Sequence, residues 1–163
     1  MKKIHYANSH IHRRGLMIGE DAKKGEIVTK ILGPLKFKLN KNKRDALSHP
    51  DWVGVKKNYW VDPLRPHKFI NHSCDPSTGV RGVTLIALRD LKKGEEITMD
   101  YSTIEGDPRW QMKCSCLAKN CRKVIRSVQF LSPKRFKAIK YIPVYFRNLY
   151  QKKRYNKRNA EKV

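Results

Sequence analysis

Apolar residues in the first hundred positions come in short runs, not long helical stripes. Leu16-Met17-Ile18, Ile27-Val28-Thr29-Lys30-Ile31-Leu32 and Val83-Thr84-Leu85-Ile86-Ala87-Leu88 are brief, rich in branched residues and bounded by polar segments, a pattern that predicts β-strands. Two polar turns echo each other: Asp21-Ala22-Lys23-Lys24-Gly25-Glu26-Ile27 and Asp90-Leu91-Lys92-Lys93-Gly94-Glu95-Glu96-Ile97. In each, Lys-Lys-Gly-Glu supplies a glycine free to take positive φ, and each lies between apolar runs as strand–turn–strand. The spacing is too irregular for a repeat array. Asn40 to Ser48 is polar and predicts a short helix before Pro50, while Asp107-Pro108 marks a boundary. Further on, Pro143 is expected in the first turn of a helix carrying Phe146, Leu149 and Tyr150 on one face, which would dock onto the domain.

Composition narrows the setting. A chain of 163 residues with 39% hydrophobic content fits one domain with a modest core and an appendage. No run approaches the roughly 18–20 apolar residues of a membrane span. Met1-Lys2-Lys3-Ile4-His5-Tyr6 is basic without an apolar stretch after it, so a secretory signal is not expected. The expected compartment is intracellular and reducing, which argues against disulfides. Charge is extreme, at 37 basic against 14 acidic residues and a net +23, and it is uneven. Residues 122–163 hold 14 Lys/Arg and one acid, Glu161, and so carry +13. The run Gln151-Lys152-Lys153-Arg154-Tyr155-Asn156-Lys157-Arg158 reads as a phosphate-binding segment, which favours a nucleic-acid partner over a merely solvated surface.

The four cysteines add chemistry. Cys74 follows a short polar loop in Phe69-Ile70-Asn71-His72-Ser73-Cys74-Asp75-Pro76, and Cys114, Cys116 and Cys121 follow forty residues later as Cys-x-Cys-x4-Cys. Three thiols within eight residues of a Lys-rich stretch have little core to hide in. With Cys74 they make a four-sulfur set, the closed geometry of one structural zinc ion. That ion would pin a distant C-terminal loop onto the Asn71-His72 loop. His10 and His12 show no ligand spacing and read as surface groups.

Taken in order, Asn71-His72-Ser73-Cys74-Asp75-Pro76, Gly94-Glu95-Glu96-Ile97-Thr98-Met99-Asp100-Tyr101 and the Cys-x-Cys-x4-Cys loop resemble the SET-domain protein-lysine methyltransferases with a post-SET zinc loop. Arg14-Gly15-Leu16 is similar to the family's opening Gly-x-Gly motif, and Tyr59-Trp60-Val61-Asp62 to its strand before the Asn-His loop. The resemblance spans about residues 4 to 125. It implies a mainly β fold of small curved sheets with a pseudoknot, plus short C-terminal helices. The expected layout is a SET domain over 1–106, a post-SET zinc loop over 107–125, and a basic, partly helical extension over 126–163. It also implies transfer of a methyl group from S-adenosylmethionine to a lysine amine of a protein, in line through a narrow channel. Tyr101 would be catalytic. Asn71 would hold the amino-acid end of the cofactor and His72 its adenine edge, with backbone contacts from His12, Arg14 and Gly15. Trp110 would cover the adenine or wall the channel, Ser115 would lie over the cofactor, and Tyr59 and Met99 would border the substrate channel.

The chain departs from the family pattern at several positions. Arg13 replaces the first glycine of the opening motif, Lys68 stands where arginine is usual, and Ser77 where asparagine is common. Pro63-Leu64-Arg65-Pro66 occupies the place of a usual Gly-Asn pair. Met99 replaces an aromatic residue; being flexible and unable to hydrogen-bond a water beside the amine, it predicts addition of more than one methyl. A basic surface repels basic tails, so the expected protein substrate (histone, ribosomal or chromosomal) is one already bound to nucleic acid, in a nucleus or a microbial nucleoid. A short regulatory protein with an acidic surface around its target lysine fits equally well. The alternative function is a catalytically idle SET-like module that binds nucleic acid. A zinc-ribbon-like binder of other ancestry leaves the Asn-His and Asp-Tyr phrases unexplained.

Overall fold

The computed structural model describes residues 1–37 and 51–160, so the helix expected over Asn40 to Ser48 lies outside the described residues. The strands in the first half are β1 (Ile4–Asn8), β2 (Arg14–Ile18), β3 (Ile27–Lys30), β4 (Leu35–Phe37), β5 (Val53–Lys56) and β6 (Tyr59–Val61). They continue with β7 (Asn71–His72), β8 (Thr78–Arg81), β9 (Thr84–Ala87), β10 (Glu96–Met99), β11 (Gln111–Lys113) and β12 (Val124–Arg126). Helices α1 (Pro133–Ala138) and α2 (Val144–Ala160) close the chain.

Among the described residues the strands form four small sheets, ordered β1-β2-β10-β7, β3-β9-β8, β4-β6-β5 and β11-β12. All pairs are antiparallel except β7 with β10, where Asn71 lies beside Thr98 and His72 beside Met99. That parallel pair sets the Asn-His phrase against the strand that leads into Tyr101. The branched runs form the core: Leu16, Ile18, Val28, Val80, Leu85 and Ile97 are wholly buried. Several of these strands are covered on both faces, so their sequences read as continuous apolar runs without alternation.

The two echoing turns brace each other. Gly25 and Gly94 take φ of +90° and +87°, the left-handed region where a side chain would be strained. Asp90 accepts from the Lys24 amide and pairs with Lys23, while Asp21 accepts from the Lys93 amide and pairs with Lys92. An isolated bridge joins Ala22 to Leu91 between them. The strands flanking each turn do not pair with each other; β2 joins β1 and β10, and β3 joins β9.

A second, smaller core forms at the C-terminal end from Val128, Leu131, Ile139, Ile142, Phe146 and Tyr150. Tyr150 stacks on Phe136 with ring centroids 3.7 Å apart. Pro143 stands one residue before α2, its carbonyl accepting from the Arg147 amide. The apolar face of α2 docks inward and its basic face is left to solvent. Among the described residues no helix is long and apolar enough to cross a membrane.

Candidate functional site

Two cavities meet at Tyr101. One, of about 350 Å³, is lined by His12, Asn71, His72, Tyr101, Ser115 and Cys116, among others. The other is narrow, about 60 Å³, and is walled by Trp52, Ile70, Met99, Tyr101, Ile104 and Trp110. Tyr101 and Asp51 line both. Tyr101 and Asp51 thus stand between a larger cavity and a small slot whose apolar walls are joined by His67, Lys68 and Glu105.

The Tyr101 side chain is fixed at both ends. Its hydroxyl donates to the Ile70 carbonyl at 2.7 Å, and its backbone N–H donates to His72 Nδ1 at 3.2 Å. Burial, and then the nearby Asp51 and Glu96 carboxylates, push the phenol well above its ordinary pKa. It therefore stays protonated at neutral pH, with its oxygen lone pairs available on the side away from Ile70. Asp100 starts the 3-10 turn Tyr101–Ile104, its carboxylate accepting from the Ser102 amide at 3.0 Å.

Asn71 anchors the larger cavity. Its amide nitrogen lies 2.9 Å from the Arg14 carbonyl and 2.7 Å from Glu96 Oε1, with the His12 carbonyl and Ser9 Oγ close by. Gly15 makes this arrangement possible, because a Cβ there would sit 2.3 Å from Glu96 Oε1. Arg13, in place of a glycine, holds a φ of +44°, so the left-handed turn persists with a side chain on it. The Arg14 side chain points elsewhere, over the rings of Tyr6 and Phe69.

The sulfurs converge behind His72. Cys74 Sγ lies 3.9 Å from Cys114 Sγ, which lies 3.7 Å from Cys121 Sγ, and Cys116 Sγ accepts from the Cys74 amide at 3.3 Å. Thiolates about 2.3 Å from a central tetrahedral zinc would be roughly 3.8 Å apart, which matches the Cys74–Cys114 and Cys114–Cys121 separations, while the ligand atoms that all lie within 4.8 Å of one another are those of His72, Cys74, Cys114 and Cys116. His72 also reaches the cluster, and its Nε2 is 3.3 Å from Cys74 Sγ. Because Nδ1 receives the Tyr101 N–H, the neutral ring carries its proton on Nε2, which then donates to the Cys74 sulfur. Burial holds His72 neutral, with its pKa lowered to about 4. Burial works against ionisation of Cys116, yet the Cys74 and Ala118 amides and the neighbouring thiols bring it down to about 7. Arg122 donates to Cys74 Sγ at 3.2 Å, and Arg135 donates to the Cys74 carbonyl at 2.6 Å.

Of the residues singled out in the sequence, His12, Asn71, His72 and Ser115 line the larger cavity, and Tyr101 is shared. Arg14 and Gly15 act one layer back, through Asn71 and Glu96. Met99 and Trp110 wall the slot. Tyr59 is not among the residues lining either cavity; its ring packs against Phe37 at 4.8 Å, with the Lys56 ammonium 4.3 Å from it. Sequence reasoning missed Asp51, Glu96, Ser9, Arg122 and Arg135. Glu96 carried a weak signal: it opens a strand otherwise made of Ile97, Thr98 and Met99, while its neighbour Glu95, still in the turn, pairs with Arg89.

A SET-domain family profile matches residues 13–102. The curated relatives that the chain resembles include the histone-lysine N-methyltransferase trithorax of Drosophila virilis, 33% identical over 133 residues. A histone-lysine N-methyltransferase, H3 lysine-4 specific, of Schizosaccharomyces pombe is 29% identical over 138 residues. These alignments cover 72% and 74% of this chain but 3% and 15% of those proteins, so the chain spans a small part of their length. Among solved structures, KRYPTONITE in complex with DNA, a histone H3 peptide and SAH superposes with a TM-score of 0.58 at 20% identity, over 76% of this chain and 29% of that one. An autoinhibited ctPRC2 bound to S-adenosylmethionine gives 0.52 at 20%, over 65% and 16%.

Proposed function

This chain belongs to the SET-domain family, and from that premise we propose that it is a protein-lysine N-methyltransferase using S-adenosylmethionine. The observation that carries the proposal is Tyr101 lining two cavities of unequal size. The larger one suits the cofactor, which supplies an electrophilic methyl on a sulfonium. The narrow one suits an extended lysine side chain.

Each residue then has a task. Asn71, held by Arg14 and Glu96, presents its remaining polar face to the amino-acid end of the cofactor. His72, neutral, offers its backbone at the adenine edge. The slot residues Met99, Ile104, Trp52 and Trp110 exclude water around the amine, which must be neutral to attack although its ordinary pKa is near 10.4. An apolar wall beside a cation favours that neutral form. Tyr101, protonated and donating to Ile70, turns oxygen lone pairs toward the reacting centre. There they orient the amine and stabilise positive charge without taking a proton. Most of the remaining barrier reduction is alignment of amine, methyl and sulfur. The four cysteines Cys74, Cys114, Cys116 and Cys121 would hold one structural zinc ion, which fastens residues 112–116 as a wall of the cofactor cavity.

The protein substrate we propose is one carried on nucleic acid, as a histone or other chromosomal protein is. The relatives that are histone-lysine methyltransferases support the first half of this reading, and charge supports the second. Arg126 and Lys153 both lie over the exposed Phe130 ring, at 3.5 and 3.4 Å, and Arg147 and Lys152 are exposed as well. Clustered cations around an exposed ring suit a phosphate backbone. The setting that follows is intracellular, in a nucleus or nucleoid.

Isothermal titration of the zinc-loaded chain with S-adenosylmethionine, followed by radiolabelled methyl transfer into nuclease-treated and untreated lysate, tests this. Cofactor binding and a labelled lysine are expected, with weaker labelling after nuclease. A zinc-loaded chain that binds nucleic acid but no cofactor would leave the idle module in its place.

A further inference from the structure

We infer that Arg122 is a positioning residue that transmits the state of the sulfur cluster to Tyr101. The inference rests on the reading of Tyr101 as the group at the transfer point. Arg122 lines neither cavity. Its side chain is 17% exposed, and each of its three nitrogens donates to a different partner. Nε donates to Cys74 Sγ at 3.2 Å, one terminal nitrogen to Ser102 Oγ at 3.0 Å, and the other to Asp100 Oδ1 at 2.6 Å. One planar group therefore spans a metal-ligand sulfur and the residues on both sides of Tyr101.

His72 runs in parallel. Its Nε2 faces the same sulfur, and its Nδ1 accepts from the Tyr101 amide. Two rigid side chains thus connect Cys74 to residues 100–102, and the short turn they hold aims the phenol at Ile70. Planarity matters here, because a guanidinium fixes three acceptors in one fork whereas a lysine ammonium is a point charge on a flexible stem. Charge fits as well: four thiolates around a divalent zinc carry a formal charge of about −2, which a neighbouring guanidinium offsets. Purely structural packing requires none of this specificity. Arg122 sits in a chain with 37 basic residues, and here it is turned inward onto a sulfur, a carboxylate and a hydroxyl.

The test compares wild type with Arg122→Met, Arg122→Lys and Ser102→Ala. It reads zinc content, steady-state kinetics, and hydrogen exchange of the segment 98–104 against segment 84–97. Arg122→Met should keep one zinc per chain and hold the cofactor KM within about twofold. Its kcat should fall about tenfold or more, the loss expected for charge-assisted hydrogen bonds. Amide exchange should quicken in 98–104 and stay unchanged in 84–97. Arg122→Lys should recover little of the rate, and Ser102→Ala should lose a few-fold, about what one neutral hydrogen bond supports. An unchanged kcat with zinc bound would overturn the inference. So would loss of zinc from Arg122→Met, which would make the residue a retention device, or faster exchange everywhere, which would make it ordinary packing. If Arg122→Met does not fold, Arg122→Lys and Ser102→Ala decide by the same criteria. A wild-type chain that neither binds cofactor nor transfers methyl sinks the reading of Tyr101 itself, separately from Arg122.

Discussion

Stripping the metal from the four sulfurs should cost the chain most of its affinity for S-adenosylmethionine, although no sulfur need touch the cofactor. Residues Met112 to Cys116 contribute five positions to the wall of the larger cavity. Beyond the pairing of β11 with β12, what holds them in place is the approach of Cys114 and Cys116 to Cys74, with Cys121 beside Cys114. Without zinc the cofactor must order that stretch itself. At about 1 kcal/mol of backbone entropy per residue the ceiling is about 5 kcal/mol for five residues, some three to four decades in affinity. The β11–β12 ribbon retains part of the order, so a loss of about a hundredfold in Kd is the working expectation. The assay is isothermal titration of zinc-loaded and chelator-stripped chain, with metal content measured on the same samples and zinc restored afterward. Affinity that returns with one zinc per chain fits the reasoning. A stripped chain that is still folded and binds the cofactor with unaltered Kd refutes it.

Gly15→Ala should raise the cofactor KM about tenfold by driving Glu96 off Asn71, since one charge-assisted bond is lost; an unchanged KM would show that Asn71 does not depend on Glu96. The pH profile of kcat/KM should climb as the substrate amine loses its proton, with no falling limb from Tyr101 below about pH 10, the ordinary phenol value. Because that phenol is raised only in the folded chain, its stabilising contribution is complete below about pH 10 and disappears as pH climbs toward the folded value; melting curves that weaken already at pH 8 from tyrosine ionisation would contradict this. With Met99 in the slot, mass spectrometry of an exhausted reaction should find more than one methyl per lysine, and Met99→Tyr should shift the product toward one; a wild-type product that stops at one methyl defeats the argument. Anisotropy with a short DNA duplex should give a steep salt dependence that Arg126→Glu with Lys153→Glu flattens by nearly two charges, at about −0.9 per phosphate contact; an equal slope would move the nucleic-acid contact elsewhere.

What could be read in the chain and what could not divides along physical lines. The strands over Leu16, Val28 and Leu85 were legible because burial on both faces leaves unbroken apolar runs. The approach of Cys114 and Cys116 to Cys74 was legible because thiols are few here and their spacing constrains a loop, whereas the place of His72 among them was not. The docking face of α2 followed from the spacing of Phe146, Leu149 and Tyr150. Tyr59 shows the limit of that reasoning. Neighbouring strand positions face opposite ways, so Trp60 borders a groove beside the slot while Tyr59 turns to Phe37. Arg122 and Arg135 were invisible because nothing local separates two inward-facing arginines from their solvated counterparts. Their roles exist only once Cys74 and Asp100, distant in sequence, arrive beside them. Asp51 was missed for a similar reason, since its place at the junction of two cavities depends on how β5 approaches the turn after Asp100.

The most direct measurement follows labelled methyl from S-adenosylmethionine into lysine with wild type and with Tyr101→Phe, alongside each protein's cofactor Kd. Labelled lysine is expected with the wild type, a rate about a hundredfold to a thousandfold lower with the variant, and Kd values within about twofold of each other. Equal rates from the two proteins, or no label on lysine from a wild type that binds the cofactor, would contradict this.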